Sequence, residues 1–343
     1  MSELECYFTL LSERKPPACA GLKVSSMGIG AWSFGDRTGY WANNFGAYKA
    51  LVEEGITFVD TAEVYGFGNS EEFLGEFMKS TNTKPVIATK FAPLPWRFTS
   101  KSVVSACRAS LERLGIEKAG LYMQHWPGIL TNGPFNDAFV EGLGDCANLG
   151  LTQAVGVSNF SAERVRRASS ILQAHGVPLA SNQVQYSLLY RVPEVNGVAD
   201  AVRKAGATLV AYSPLAQGLL TGKYTKDNLP TGPRGITITA DRVAEVQPLL
   251  PPSRRLLQDP ACDAAPVAIN WTLCKGALPI PGAKNARQVR EAAGALGWRL
   301  TADEVRCHFN WRRLRTQYTC PCRAHSMAQF ITSKPLPGDL YQT

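Results

Sequence analysis

The chain alternates short runs of apolar and β-branched residues with longer stretches whose apolar positions recur at helical spacing. This alternation is typical of parallel α/β folds, in which each buried strand is followed by a helix that covers it. Helices are predicted over residues 69–79, 100–114 and 161–174, the first with Asn69 as its N-cap. The apolar runs predict eight strands, over residues 26–31, 57–60, 86–89, 120–124, 154–157, 180–183, 208–211 and 278–281.

Eight strand–helix units predict a single-domain α/β fold, a closed (β/α)8 TIM barrel, rather than an open sheet. An open dinucleotide-binding sheet carries Gly-x-Gly-x-x-Gly after its first strand, and the sequence GIGAW at 28–32 lacks the third glycine. We predict an N-terminal extension over residues 1–25, the barrel over 26–305 and an irregular, partly disordered C-terminal tail over 306–343. Residues 221–263 are rich in Pro and Gly, which predicts a long excursion.

Composition narrows the class of protein further. Lys and Arg number 36 against 28 Asp and Glu, a net charge of +8. The basic residues are scattered rather than gathered in one motif, so a basic enzyme with an anionic ligand is favoured over a nucleic-acid-binding protein. No apolar run reaches the ~20 residues of a membrane helix, so no span is predicted. Cys320 and Cys322, with His325 nearby, lack the spacing of common zinc sites, and no metal is expected.

Ionisable residues lie where three consecutive predicted strands end. Asp60 ends the second strand with Tyr65 just beyond it, Lys90 ends the third and His125 ends the fourth. A (β/α)8 barrel carries its active site at the carboxyl ends of its strands, so these side chains should face one space. Singly, each has a structural explanation such as a helix cap or a buried histidine, and Lys90 also suits a Schiff-base nucleophile. Together they favour a catalytic site.

These four side chains suit the reduction of a carbonyl group. The reaction needs a hydride donor and an acid that protonates the forming alkoxide. Tyr65 is the candidate acid, although a phenol with a pKa near ~10 is weak at neutral pH. We expect the Lys90 ammonium to lower the pKa of Tyr65, and the Asp60 carboxylate to keep that ammonium charged and in place. His125 is expected to hydrogen-bond the carbonyl oxygen and orient it.

Three motifs resemble those of the aldo-keto reductase family: FVDTAEVYG at 58–66, ATKF at 88–91 and QHWP at 124–127. The resemblance implies that the catalytic residues of the family are Asp60, Tyr65, Lys90 and His125, acting on a small carbonyl substrate. It covers roughly residues 26–304 and is strongest for the plant and algal plastid-associated branch. A plastid location is therefore implied, although Glu3, Glu5 and Glu13 do not suit a transit peptide and leave the cytoplasm open.

The resemblance extends to the cofactor, which it implies is NADPH. GVSNF at 156–160 and NQVQY at 182–186 resemble the stretches that hold the nicotinamide, and AYSPL at 211–215 resembles the one beside the nicotinamide and pyrophosphate. The run from 280 to 291 enters a helix, where backbone N–H groups attract phosphate, and its two cations suit a 2′-phosphate. The implied cofactor residues are Ser158, Asn159, Gln183, Tyr212, Ser213, Leu215, Gly218, Lys284, Arg287, Gln288 and Glu291.

The sequence departs from the family pattern in places. Ala292 stands where the family usually has an Asn that reaches the adenine. Prolines interrupt the stretch before residue 267, and the sequence after Arg306 matches no family pattern. The substrate and the oligomeric state therefore stay open. Four aromatic residues, Trp32, Phe91, Trp96 and Trp126, indicate an apolar substrate pocket, with a place in the core as the alternative for each.

Two other functions remain as alternatives. One is a regulatory subunit that keeps the cofactor as a sensor with little turnover, and the other is a Schiff-base aldolase that uses Lys90. Neither explains the Ser158-Asn159 motif and the 284–291 motif together.

Overall fold

The computed structural model describes residues 22–35, 44–230, 235, 238–247 and 264–305. Eight parallel strands pair in chain order, and a bridge between Gly30 and Gly282 joins the last to the first. The predicted (β/α)8 TIM barrel is confirmed, and no strand end differs from its prediction by more than two residues. The strands are β1 (Gly28–Gly30), β2 (Phe58–Asp60), β3 (Val86–Phe91), β4 (Ala119–Gln124), β5 (Thr152–Ser158), β6 (Leu179–Gln185), β7 (Thr208–Tyr212) and β8 (Leu278–Ile280).

Helices cover the outside of the barrel. They are α1 (Asn44–Glu53), α2 (Asn69–Thr81), α3 (Ser100–Leu114), α4 (Asn136–Asn148), α5 (Ala162–Ala174), α6 (Val192–Val195), α7 (Val198–Lys204), α8 (Ala240–Val246), α9 (Ala264–Cys274) and α10 (Ala286–Ala293). Short 3-10 helices occupy Trp32–Gly35, Tyr65–Gly68, Leu130–Phe135 and Ala216–Thr221. No helix of the described residues is long and apolar enough to cross a membrane.

Side chains cap the starts of α3, α5, α8 and α10, whereas α2 begins without such a cap. Thr99 and Ser102 form a capping box at the start of α3, and the Ser161 side chain caps α5. The prediction that Asn69 caps α2 is wrong. The N-cap is Gly68, which has a left-handed backbone (φ 96°) and no side chain to cap the helix. Asn69 is already the first helical residue. The chain leaves a tight turn at this point, and glycine permits that reversal.

Alternation along the strands decides what faces the barrel interior. Phe58, Ala88, Leu121, Met123 and Val210 belong to one buried cluster together with residues of β5 and β8. Tyr122, between Leu121 and Met123, packs instead in the cluster that faces the helices. Because side chains alternate with a period of two, the residues two positions beyond these inward residues also point inward, at the carboxyl end of the barrel.

The predicted excursion over 221–263 contains regular structure where it is described. In α8, Val243 and Val246 are buried in a cluster with Leu219 and Ala268. Of the proline-rich stretch before residue 267 that we expected to be interrupted, residues 264–266 are described and form the first turn of α9, where the missing N–H of Pro266 breaks no intrahelical hydrogen bond. Residues 1–21 of the predicted extension, 248–263 of the excursion and the whole tail, with Cys320, Cys322 and His325, lie outside the described residues.

Candidate active site

Asp60 and Lys90 form a buried ion pair at the carboxyl end of the barrel. Asp60 lies two residues after the inward Phe58, and Lys90 two after the inward Ala88, so both side chains enter the interior. The Lys90 ammonium donates to Asp60 Oδ1 at 2.6 Å and to the Thr61 carbonyl at 2.8 Å. Burial raises the pKa of Asp60 and lowers that of Lys90, and the attraction between the two charges opposes both effects. The contact at 2.6 Å with both side chains buried supports an ion pair.

Tyr65 is within reach of the same ammonium. Lys90 Nζ lies 3.3 Å from Tyr65 Oη, so its three N–H groups are directed at Asp60, Thr61 and Tyr65. The prediction that Lys90 lowers the pKa of Tyr65 is wrong for this structure. Burial raises the pKa of the phenol well above its ordinary value, and the Asp60 carboxylate adds to that rise. Because burial and the Asp60 carboxylate both disfavour the phenolate, Tyr65 stays protonated.

His125 faces the phenol across the mouth, with its ring 5.5 Å from that of Tyr65. Its backbone is fixed by the hydrogen bond from its N–H to the Phe91 carbonyl, at 2.8 Å. Burial lowers the pKa of the imidazole well below its usual value, and the charge of Lys90 adds to the effect. The ring is therefore neutral, and its buried Nδ1 has no hydrogen-bond partner. A neutral imidazole carries one N–H, which can donate to a ligand oxygen.

The residues predicted to hold the nicotinamide form one hydrogen-bonded group that reaches the ion pair. Asn159, with a left-handed backbone (φ 60°), donates to the His125 carbonyl at 3.1 Å and accepts from Tyr212 Oη at 3.0 Å. Ser158 Oγ donates to the Gln183 carbonyl at 2.9 Å. Gln183 Nε2 in turn donates to the second oxygen of Asp60, at 2.7 Å. Gln183 thus connects this group to the carboxylate that holds Lys90.

A left-handed turn follows β7. Ser213, Ala216 and Gln217 have φ values of 51°, 47° and 59°, and Gly218 has a φ of 99°. Non-glycine residues rarely adopt this conformation, and such strain gathers at ligand-binding sites. At Gly218 a Cβ would also lie 3.2 Å from carbons of Lys223 and Tyr224, so the chain needs glycine there. The turn brings consecutive backbone groups to the wall of the cavity.

The start of α10 forms the far end of the cavity. Asn285 caps the helix by accepting from the Gln288 N–H at 3.1 Å. The Gln288 side chain accepts from the Lys284 N–H at 2.8 Å, which ties the loop to the first helical turn. Arg287 is exposed beside them. Backbone N–H groups and two cations at a helix start attract an anion.

One cavity of about 790 Å³ connects these regions. This volume is within the range of small-molecule sites. Of the predicted site residues, Lys90 lies buried behind the wall. The others all line the cavity: Asp60, Tyr65, His125, Ser158, Asn159, Gln183, Tyr212, Ser213, Leu215, Gly218, Lys284, Arg287, Gln288 and Glu291.

The aromatic residues expected around an apolar pocket divide into two pairs. Trp32 and Trp126 line the cavity. Phe91 does not, because it is fully buried in the core beneath α3 and α4, and Trp96 is 70% exposed and outside the lining. The expectation is therefore wrong for Phe91 and Trp96. A strand residue that points toward the helices cannot be told from an inward one by residue type alone.

Among the lining residues missed from the sequence are Gln217, Thr221 and Lys223. Each lies in or just after the left-handed turn. A lysine in a Gly-rich segment beside the predicted pyrophosphate stretch was the available signal. Ala292, predicted to stand where an Asn would reach the adenine, does line the cavity, with only 3% of its surface exposed.

Comparison with known proteins agrees with this fold. The model of the Aldo/keto reductase family matches residues 26–307. The chain therefore belongs to the aldo/keto reductase family of oxidoreductases. It is 38% identical over 327 residues to the pyridoxal reductase, chloroplastic, of Arabidopsis thaliana, covering 90% of this chain and 87% of that protein. This likeness agrees with the predicted resemblance to the plant plastid-associated branch.

Two solved structures resemble the chain over most of its length. The glycerol dehydrogenase AKR11B4 from Gluconobacter oxydans superposes with a TM-score of 0.74 at 25% identity, covering 93% of this chain and 96% of that one. An aldo/keto reductase from Klebsiella pneumoniae, in complex with NADP and acetate, gives a TM-score of 0.63 at 25% identity, with 88% and 94% covered.

Proposed function

We propose that this protein is an NADPH-dependent reductase that converts aldehydes or ketones to alcohols, with Tyr65 as the proton donor. The observation that carries the proposal is the position of the Tyr65 hydroxyl. It lies 3.3 Å from a buried ammonium, in the wall of a cavity that Lys284 and Arg287 also line. A bound NADPH supplies the hydride, and the residues of the chain bind, orient and protonate.

Burial raises the pKa of Tyr65 well above the ordinary value, which keeps the proton on the phenol until a stronger base forms beside it. The alkoxide that forms on hydride transfer is a stronger base than a phenolate, so proton transfer from the phenol to it is downhill. As the phenolate develops, the Lys90 ammonium at 3.3 Å stabilises its negative charge. Asp60 keeps that ammonium in place.

His125 orients the substrate. Its imidazole is neutral and lies beside the phenol, so a carbonyl oxygen between them can accept from both rings. Two donors on one oxygen fix its position and leave the carbonyl carbon facing the nicotinamide end of the cavity. Trp126 contacts the His125 ring at 4.5 Å and, with Trp32, offers apolar surface for the rest of the substrate.

The cavity fits NADPH in shape and charge. Lys284 and Arg287 line its far end, where a 2′-phosphate would meet two cations, and Lys223 lines the wall near the left-handed turn, where the pyrophosphate would lie. Gln288 and Glu291 then face the adenosine, and Ser158, Asn159 and Gln183 the nicotinamide. The complexes of the Klebsiella pneumoniae relatives with NADP and with NADPH support the same nucleotide class.

The test is NADPH oxidation by the purified full chain over a panel of aldehydes and ketones. The panel includes pyridoxal, because the plant relative is named a pyridoxal reductase. Many turnovers per enzyme molecule, with alcohol formed in equal amount to NADPH oxidised, are expected for at least one carbonyl. A single turnover followed by retained NADP+ would favour the sensor, and substrate trapped on Lys90 by borohydride would favour the aldolase.

We also propose a plastid location for the protein. The support is the resemblance to the plastid-associated branch and the name of the plant relative, which is chloroplastic. A fluorescent fusion to the full-length chain, imaged in its own host, should coincide with the plastids. A signal confined to the cytoplasm would contradict the proposal.

A further inference from the structure

The turn that carries Tyr65 has limited support of its own. Its backbone hydrogen bonds are local, from Tyr65 N to the Ala62 carbonyl at 3.0 Å and from Phe67 N to the Val64 carbonyl at 3.3 Å. Just before it, one long bond of 3.4 Å from Glu63 N to the Lys90 carbonyl links the chain to β3. Gly66 and Phe67 have left-handed backbones, with φ values of 59° and 56°, and the Phe67 side chain is fully exposed. A turn with these features is open to displacement, since exposed backbone hydrogen bonds and few buried apolar contacts mark mobile segments.

Glu63, two residues before Tyr65, ties this turn to the loop that follows β3. Its Oε1 accepts from the Ala92 N–H at 2.6 Å and from Arg97 Nη1 at 2.5 Å, and its Oε2 accepts from Arg97 Nη2 at 3.1 Å. Arg97 also donates to the Ala92 carbonyl at 2.8 Å. One carboxylate therefore fixes both ends of the segment 92–97 with charge-assisted bonds.

The Glu63–Arg97 pair is well shielded from water, with side chains 9% and 18% exposed. The Arg97 guanidinium carbon also lies 5.0 Å over the ring of Phe91, the residue next to Lys90. Shielding and a bidentate geometry make such a pair stiffer than an exposed ion pair. Neither residue lines the cavity, so neither is placed to touch a substrate or cofactor.

The other side of the same loop is held by Asn132. Its Nδ2 donates to the Pro93 carbonyl at 2.7 Å and to the Leu94 carbonyl at 3.0 Å. Its Oδ1 accepts from the Ile129 N–H at 3.0 Å, within the loop that follows His125. The loop after β3 thus lies between the segments of Tyr65 and His125 and is hydrogen-bonded to both.

We propose that Glu63 is a positioning residue, which sets the distance between the Tyr65 hydroxyl and the Lys90 ammonium by fixing the Tyr65 turn against the loop after β3. The role rests on the proposed carbonyl reduction. Lys90 is fully buried and bound to Asp60 and the Thr61 carbonyl, so the position of the phenol relative to it depends on the turn. A misplacement of about 1 Å in a reacting group costs on the order of 10²-fold in rate.

The test compares Glu63→Ala, Glu63→Gln and the double variant Glu63→Ala/Arg97→Ala with the wild-type full chain. Glu63→Ala should lower kcat by about ten- to a hundredfold and leave the Kd of NADPH within about twofold. The solvent deuterium isotope effect on kcat should rise, because proton donation then limits the rate. The double variant should lose no more than Glu63→Ala, since both changes remove one interaction.

Glu63→Gln separates geometry from charge. The amide retains an acceptor for the Ala92 N–H and loses half of the bidentate contact. The kcat of Glu63→Gln should therefore fall by about threefold to tenfold, less than that of Glu63→Ala. Equal losses in the two variants would assign the effect to charge and overturn the positioning role. If Glu63→Ala does not fold, Arg97→Lys, which keeps the charge and the Ala92 contact but loses the bidentate geometry, takes its place with an expected loss of kcat of about threefold to tenfold.

The matched control is Glu194→Gln. Glu194 pairs with Arg191 at similar exposure, 20% and 17%, on α6 and away from the cavity lining. It should lose stability without a change in kcat or in the isotope effect. A wild-type chain without turnover would overturn the proposed reduction itself. Wild-type turnover together with an unchanged kcat in Glu63→Ala would overturn only the positioning role.

Discussion

The two sides of the barrel mouth hold their functional residues by different means. On the side of β2 to β4, Asp60, Lys90 and Tyr65 are fixed by buried charge and by side-chain hydrogen bonds between neighbouring loops. On the side of β7 and β8, a left-handed backbone turn and a helix start present partly exposed cations, among them Lys284. The first arrangement suits a catalytic step, in which the reacting groups need one fixed geometry. The second suits a large anion that must enter and leave.

The difference predicts a division of labour. A change on the β2–β4 side should reduce the rate of reduction or the stability of the fold and spare cofactor binding. A change on the β7–β8 side should weaken cofactor binding and spare the rate of reduction and the stability of the fold. The predictions below test this division, in order of expected effect.

Tyr65→Phe should have the largest effect. It removes the proton donor and leaves the Lys90–Asp60 pair in place, so kcat should fall by roughly 10²–10⁴-fold, the usual contribution of general acid catalysis. The Kd of NADPH, measured by fluorescence titration, should change by less than about twofold. A variant that keeps more than about a tenth of the wild-type kcat would make Tyr65 an unsuitable candidate for the acid.

Lys90→Met should destabilise the fold. It leaves the Asp60 carboxylate buried without its cation, and breaking a buried pair in this way costs about 3–5 kcal/mol. Urea unfolding of Lys90→Met and wild type measures the difference. Arg167→Met is the matched control, because its ion pair with Asp137 is exposed and should contribute little. Equal stability of Lys90→Met and wild type would show that the buried pair does not hold the β2–β4 side.

Lys284→Ala combined with Arg287→Ala should weaken cofactor binding and little else. Two charge-assisted contacts to a 2′-phosphate are lost, each worth roughly 1.5–3 kcal/mol, so the KM for NADPH should rise by at least about tenfold. The KM for NADH should change much less, and urea unfolding should be unaffected. Equal use of NADPH and NADH by the wild type would remove the basis of this assignment.

The pH dependence should be the smallest effect. The pKa of His125 is lowered well below 6.5, so the imidazole stays neutral as the pH falls through 6.5, and the acid limb lies below that point. The pKa of Tyr65 is raised above 10, so the phenol stays protonated above neutrality. We expect kcat/KM to be level between about pH 6 and pH 8, a range in which an ordinary histidine would titrate. A decline toward acid centred at pH 6.5 or above would contradict a buried, neutral His125.

Sequence alone predicts the barrel because its strands are short apolar runs whose spacing leaves room for one helix each. It also predicts that Asp60, Lys90 and His125 meet, because residues at strand ends share the mouth of a barrel. It misses the direction of the Tyr65 pKa shift, since that depends on how deeply the phenol is buried and on the distances to Asp60 and Lys90.

Contacts between loops are the other part that sequence does not predict. Glu63 and Arg97 are 34 positions apart, and Asn132 and Pro93 are 39 apart, with no periodic pattern to link them. Lys223 lines the cavity just after the left-handed turn at Ala216 to Gly218, whose backbone conformation no sequence pattern predicts. Backbone reversals of this kind follow from tertiary packing as much as from local preference.

The most direct test of the division between the two sides is the rate of hydride transfer measured by stopped flow. Enzyme is first saturated with NADPH, so that cofactor binding no longer contributes, and is then mixed with a reactive aldehyde. The rate should be close to that of the wild type in the Lys284→Ala/Arg287→Ala double variant and lower by roughly 10²-fold or more in Tyr65→Phe. A double variant as slow as Tyr65→Phe, or a Tyr65→Phe enzyme as fast as the wild type, would contradict the account.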